Sequence, residues 1–161
     1  MGKYALDMDK YIALARRTAA EGCVLLKNDN HTLPLRKGDR VAVFGRIAFD
    51  YYKSGLGSGG LVNTRYVVGI LDALREETDF SVDEKLLNIY KEWIKDHPYD
   101  GGGGWGLVPW SQKEMPLSDE VVEQAATEND IAIVIVGRTA GEDQDNAAEQ
   151  GSYLLTDAER D

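Results

Sequence analysis

Along the chain, apolar positions recur with two periods, and the switch between them marks out the elements. From Asp9 to Gly22 the pattern DKYIALARRTAAEG places Tyr11, Ile12, Ala15 and Ala19 at helical spacing, which predicts an amphipathic helix capped by Asp9 and stopped by Gly22. The next apolar piece, Cys23 to Lys27, is short enough for a strand or a last helical turn, and strand is the preferred reading. Pro34 then enforces an extended segment. After the Lys37-Gly38-Asp39 turn, Arg40 to Gly45 (RVAVFG) is a β-branched run of the kind found in a parallel sheet covered on both faces.

The same order then repeats. A glycine-rich loop, Tyr51 to Gly60, leads into helical spacing from Thr64 to Glu77 through Tyr66, Val67, Ile70, Leu71 and Leu74. A further helix, capped by Ser81 or Asp83, runs to Lys95 with Leu86, Leu87, Ile89, Tyr90, Trp93 and Ile94 on one side, and Pro98 closes it. Asp100 to Trp110 (DGGGGWGLVPW) is too rich in glycine for regular structure and too aromatic for a tether, so it reads as a shaped surface loop. A capped helix from Ser118 to Thr127 and a turn at Asn129-Asp130 precede a second buried strand, Ile131 to Val136. Two strand-loop-helix halves make an α/β fold with a mostly parallel sheet, read as one domain over residues 1–161. Thr156 to Glu159 is a capping-box pattern that announces one more helix with two residues left to follow it, and two strong strands are few for such a sheet. Both features fit a piece of a longer protein whose fold is incomplete at the C-terminus.

Composition narrows the partners. Twenty-eight acidic residues against 18 Lys and Arg give a formal charge of −10, which opposes approach to nucleic acid or an anionic membrane. A fold of about 150 residues buries roughly 68–70% of its unfolded surface, so a core is possible without disulfides. The single cysteine, Cys23, reads as a buried and inert thiol, and a reducing, cytoplasmic setting is the default in the absence of a signal core, an anchor motif or a long apolar run.

The candidate chemistry gathers after the second strand. IAIVIVGRTAGE ends in Glu142, an acid just past the carboxyl end of a buried strand, where open α/β sheets place their ligands. Glu142, Asp143 and Asp145 could equally be a solvated charge run, and they lack the central glycine and distal glutamate of a calcium loop, so no metal is expected. A general acid needs only one partly shielded carboxyl group with a raised pKa. Gly55, Gly57, Gly59 and Gly60 satisfy the letters of a dinucleotide fingerprint, but residues 46–54 separate them from the strand and no acid stands in the expected place; a pocket rim suits them better, and no cofactor is expected. His31 and His97 lie apart in loops and read as surface residues; Trp93 reads as core of its helix. Trp105 and Trp110 escape helical periodicity and either offer indole faces to a sugar ring or plug the space beneath their own loop.

Three blocks carry a resemblance. AAEGCVLLKNDNHTLPL (Ala19 to Leu35), RVAVFG and VGRTAGEDQDNAAEQGSYLLTDAE (Val136 to Glu159) together resemble the α/β sandwich domain of glycoside hydrolase family 3, the β-glucosidase family, over nearly the whole chain. The resemblance implies a partial three-layer α/β sandwich that packs beside a barrel domain. The barrel supplies the nucleophilic Asp, and a Glu from a sandwich loop, here Glu142, serves as acid/base of a retaining mechanism on β-glucosides or related oligosaccharides. By the same resemblance the Tyr51 to Gly60 and Trp105 to Trp110 loops would line outer sugar subsites. Tyr51, Tyr52 and Trp105 are candidates for ring stacking, and Lys53 for donating to hydroxyls, on their chemistry alone.

The early start of the signature resembles bacterial members in which the order is reversed and the barrel comes last. With one carboxylate of the pair, the chain is expected to be inactive alone, and its apolar strand edge to favour a homo-oligomer. The reading from another class is a non-catalytic carbohydrate-binding or interaction module.

Overall fold

The computed structural model describes residues 4–50, 52, 63, 66–139 and 145–161. The chain divides into two compact units, Met1–Pro34 and Leu35–Asp161. In the first, α1 spans Met8–Glu21 and is capped by Asp7, whose side chain accepts from the Lys10 amide, so the cap lies two residues before the expected Asp9; Gly22 closes the helix as expected. Residues 23–27 form no strand, and no strand pairs with them among the described residues of that unit. Val24, Leu25 and Leu26 are exposed, and Cys23, expected buried, is exposed too, its thiol donating to the Ala19 carbonyl at 3.4 Å.

The second unit is built on a parallel sheet of three strands in the order β2-β1-β3. Here β1 is Arg40–Phe44, β2 is Ser81–Val82 and β3 is Ile131–Val134. Helix α2 (Ile70–Glu76) lies between β1 and β2 in sequence, and α3 (Glu84–Asp96) and α4 (Asp119–Glu128) lie between β2 and β3. α2 begins later than the apolar spacing suggests, because Gly69 is extended and its amide is held by the Asp72 carboxylate at 2.9 Å, while residues 66–68 lie outside any helix. Asp83, not Ser81, caps α3 through bonds from the Lys85 and Leu86 amides. Ser81 instead belongs to β2, a strand too short to announce itself by alternation.

Alternation along β1 divides the core. Val41 and Val43 pack with Ala48, Leu71 and Leu87 on one face, while Ala42 packs with Leu86, Tyr90, Met115 and Ala125 on the other. β1 and β3 are tied at their starts by Arg40, whose amide and guanidinium both donate to the Asp130 carboxylate, while the Asp130 amide returns a bond to the Arg40 carbonyl. That clamp fixes the register Val41 to Ile131 through Phe44 to Val134. β3 departs from the expected double cover. Ile133 joins the core, but Val134 is 67% exposed beside an open groove of about 300 Å³ lined by Phe44, Met115, Leu117, Val122 and Val136. The chain closes on α5, Asp157–Arg160, opened by the expected capping box, in which the Thr156 amide donates to Glu159 at 2.8 Å.

Candidate functional site

The order β2-β1-β3 sends the chain from β1 to opposite edges of the sheet, so the crevice beyond the carboxyl ends of β1 and β3 is a topological switch point, where open α/β sheets bind ligands. Both strands finish there on the same dipeptide, Gly45-Arg46 after β1 and Gly137-Arg138 after β3. Each glycine is required. Gly45 sits at φ +103° with space for a Cβ filled by the Ile135 carbonyl at 2.2 Å, and a Cβ on Gly137 would meet the Ile47 side chain at 2.6 Å. The strand ends can therefore pack against each other only without side chains at these points.

Each arginine is then held by an acid. Arg46 is 1% exposed, pairs with Asp50 at 2.8 Å, donates to the Lys113 carbonyl at 3.3 Å and lies over the Trp93 ring at 5.6 Å. Its amide donates to Glu114, which also accepts from the Met115 amide; burial still pushes the Glu114 pKa above the usual carboxylate value. The Gly45 amide donates to the buried Tyr90 hydroxyl at 3.0 Å, and burial pushes that phenol up to about 12. Arg138 meets both Glu159 oxygens, at 2.6 and 2.7 Å. Burial opposes ionisation of Glu159, but the bonds from Arg138 and Thr156 outweigh it and hold its pKa below the ordinary value.

The segment after β3 is anchored on both sides of residues 140–144. Before them, the Thr139 amide and hydroxyl donate to the Trp110 and Pro109 carbonyls at 2.8 and 3.0 Å. After them, the Ala147 amide donates to the buried Ser152 hydroxyl at 2.8 Å, and the Tyr153 amide returns to the Ala147 carbonyl. Glu142, with its neighbour Asp143, lies outside the described residues, as do Tyr51, Lys53 and the glycines 55–60.

Tyr52 is half-buried at this end of the sheet, its ring edge-on to Tyr99 at 6.3 Å, and burial with the nearby Tyr99 raises its pKa to about 12. Its hydroxyl, the Arg46 Nε and the Trp110 Nε1 are buried with no hydrogen-bond partner among the described residues. Such unspent groups are what a hydroxyl-rich ligand or ordered water satisfies. Trp110 is half-buried, whereas Trp105 stands 56% exposed on the glycine-rich turn, open to stacking. Trp93 is only partly core: it stacks on His97 at 4.0 Å, and this contact draws His97 off the surface. Among the described residues, no group of three or more His, Cys, Asp or Glu could hold a metal ion.

Arg46, Asp50, Glu114 and Arg138 are charged groups that residue patterns alone did not single out, and Glu159 was marked only as part of a helix cap. A signal was present, since the Gly-Arg pair recurs after both apolar strands.

Residues 23–160 match the model of the glycosyl hydrolase family 3 C-terminal domain. A β-glucosidase of Ruminococcus albus is 54% identical over 155 residues, 96% of this chain and 16% of that protein. Beta-glucosidase A of Butyrivibrio fibrisolvens is 38% identical over 145 residues, which is 17% of its length. Among solved structures, a β-glucosidase from Paenibacillus barengoltzii superposes with a TM-score of 0.90 at 54% identity, covering 99% of this chain and 17% of that one. β-Glucosidase 3B from Thermotoga neapolitana, solved with α-D-glucose, gives 0.81 at 30% identity over 96% of this chain and 21% of its own. The chain thus spans a small part of the length of these relatives.

Proposed function

The chain belongs to glycosyl hydrolase family 3, matching its C-terminal α/β domain, and from that premise we propose that it supplies the general acid/base, Glu142, of a retaining β-glucosidase. The observation that supports the reading is the switch point beyond the carboxyl ends of β1 and β3, where Thr139, the last described residue before Glu142, is bonded to the Trp110 and Pro109 carbonyls. In a retaining mechanism two carboxyl groups stand about 5–5.5 Å apart across the scissile bond. The nucleophile attacks the anomeric carbon while the acid protonates the leaving oxygen. The acid then serves as base, taking a proton from the water that hydrolyses the glycosyl-enzyme. Glu142 fills the second role, and the nucleophilic Asp comes from a barrel domain outside these 161 residues. The substrate is a terminal β-linked glucose, in keeping with relatives described as β-glucosidases. Tyr52 and Trp105 offer aromatic faces to the sugar, and Tyr51 and Lys53 complete the candidate binding set.

The test is a chimera in which this chain replaces the matching 155-residue segment of the R. albus enzyme. Glu142→Gln is expected to lower turnover of cellobiose roughly 10²–10⁴-fold. Dinitrophenyl glucoside, whose leaving group departs without a proton, should keep its kcat/KM. Undiminished cellobiose turnover would overturn the assignment. The isolated chain should not hydrolyse aryl β-glucosides, and turnover that Glu142→Gln abolishes would show that the second carboxylate lies within it.

A further inference from the structure

The glycine-rich stretch after α3 is closed at its neck by one side chain. Gln112, 5% exposed, lies opposite Asp100: its Oε1 accepts the Asp100 amide at 2.7 Å and its Nε2 donates to the Asp100 carbonyl at 3.0 Å. A buried side-chain amide thus pairs with backbone as a strand would, across 12 positions. Asp100 is engaged in turn, because its Oδ1 accepts the Gly102 amide at 2.7 Å. Inside the neck the chain packs on itself. The Leu107 amide donates to the Gly104 carbonyl at 3.3 Å; a Cβ on Gly102, at φ +72°, would collide with the Leu107 carbonyl, and one on Gly104 would meet Leu107 Cδ1 at 2.9 Å. Glycine here serves close approach rather than freedom, and residues 100–112 form a compact Ω-loop.

Both legs of the loop are rooted at the crevice. On the entering leg Tyr99 meets the ring of Tyr52 edge-on at 6.3 Å. On the leaving leg the Pro109 and Trp110 carbonyls accept from Thr139 after β3, while the Lys113 carbonyl and the Glu114 carboxylate accept from Arg46 after β1. What the loop holds out from that root is apolar: Trp105 is 56% and Leu107 63% exposed. Residues 101–110 carry no charged, hydroxyl or amide side chain, so the tip suits a flat apolar face rather than a pattern of hydroxyls. The buried unpartnered donors of the crevice, the Tyr52 hydroxyl, Arg46 Nε and Trp110 Nε1, have the opposite character and suit the hydroxyls of a terminal glucose. The ring beyond the scissile bond extends toward solvent and can be held by its face alone.

We propose that the loop 100–112 is a specificity platform for the leaving-group side of the substrate: Trp105 and Leu107 receive the apolar face of the ring beyond the scissile bond, and Gln112 is the residue that positions them. The inference rests on the β-glucosidase reading. It assigns the chain a preference for glucosides whose leaving group is itself a ring, a second β-linked sugar or an aryl group, over those with a small alkyl group. The closed neck matters because a loop already fixed in its binding shape loses less conformational freedom when the ring lands on it.

The experiment uses the same chimera and compares cellobiose, whose leaving group is a ring, with methyl β-glucoside, whose leaving group is not. Trp105→Ala is expected to lower the ratio of the two kcat/KM values roughly three- to tenfold, through a higher KM for cellobiose at unchanged kcat. Gln112→Met, which keeps the length of the side chain without its hydrogen bonds, should lower the ratio in the same direction, and the double variant should match Trp105→Ala alone. Melting curves separate folding from function. An unchanged ratio in folded Trp105→Ala, or an equal loss on both substrates, would overturn the platform while leaving the β-glucosidase reading intact. A ratio that falls in Trp105→Ala but holds in folded Gln112→Met would overturn the positioning role of Gln112. A wild-type chimera that turns over neither glucoside would instead overturn the β-glucosidase reading beneath both.

Discussion

β1 and β3 are nearly the same strand in sequence and different strands in the folded chain. Both are apolar, β-branched and followed by Gly-Arg. β1 is paired on both edges and buried on both faces, with Val41 and Val43 at 0% exposure. β3 pairs with β1 alone among the described residues, buries Ile133 and leaves Val134 exposed on the groove that runs along Met115, Leu117 and Val122. The difference teaches that an apolar run states what a strand is suited to bury. What it buries depends on which neighbours are present, and this chain spans 17% of the length of a structure it superposes on closely.

Three measurements would break or sharpen the contrast, and the largest effect belongs to β1. Val43→Asp places an unpaired carboxylate in the core and is expected to cost about 4–5 kcal/mol or more, enough to unfold the chain in a denaturant titration. The same change at Val134 should fall within about 0.5 kcal/mol of wild type; equal losses would mean that β3 is as enclosed as β1. An intermediate effect is expected where the strands touch. Gly45→Ala faces both a positive φ and the Ile135 carbonyl, whereas Gly38→Ala, at φ +93° with nothing within 4 Å, faces only the first. The backbone contribution is about 1–3 kcal/mol in each, so Gly45→Ala should melt clearly below Gly38→Ala, and coincident melting would deny the close contact. Smallest is the effect at the open edge: the wild-type chain should self-associate in sedimentation at high concentration, and Val134→Lys should weaken this. A wild-type monomer throughout would show that the groove does not drive pairing.

The sequence disclosed what repeats and concealed what is reached only in three dimensions. Helical spacing located α3 and α4, the β-branched run located β1, and Thr156 and Glu159 announced α5. β2 escaped because two residues, Ser81 and Val82, carry no period. Residues 23–27 deceived because an apolar run does not say whether a partner strand exists for it. At the site, β3 could be read from its apolar run, but the ties that hold Thr139 and Ala147 could not. Arg138 and Glu159 are separated by 21 positions, and Arg46 and Glu114 by 68, so no local spacing links them. The recurring Gly-Arg was visible, and its meaning came from the glycine contacts with Ile135 and Ile47.

The Arg40–Asp130 clamp joins residues 90 positions apart, and this has a consequence for synthesis. A ribosome adding about 5–20 residues per second completes β1 on the order of ten seconds before β3 emerges. During that interval the strand that will be the most enclosed in the molecule has only β2 to pair with, over Arg40 and Val41. Val43 and Phe44 wait for Ile133 and Val134. Among the three described strands the central one is thus laid down first and completed last, which makes the nascent chain, more than the folded one, the state in which chaperone capture of this sheet would act.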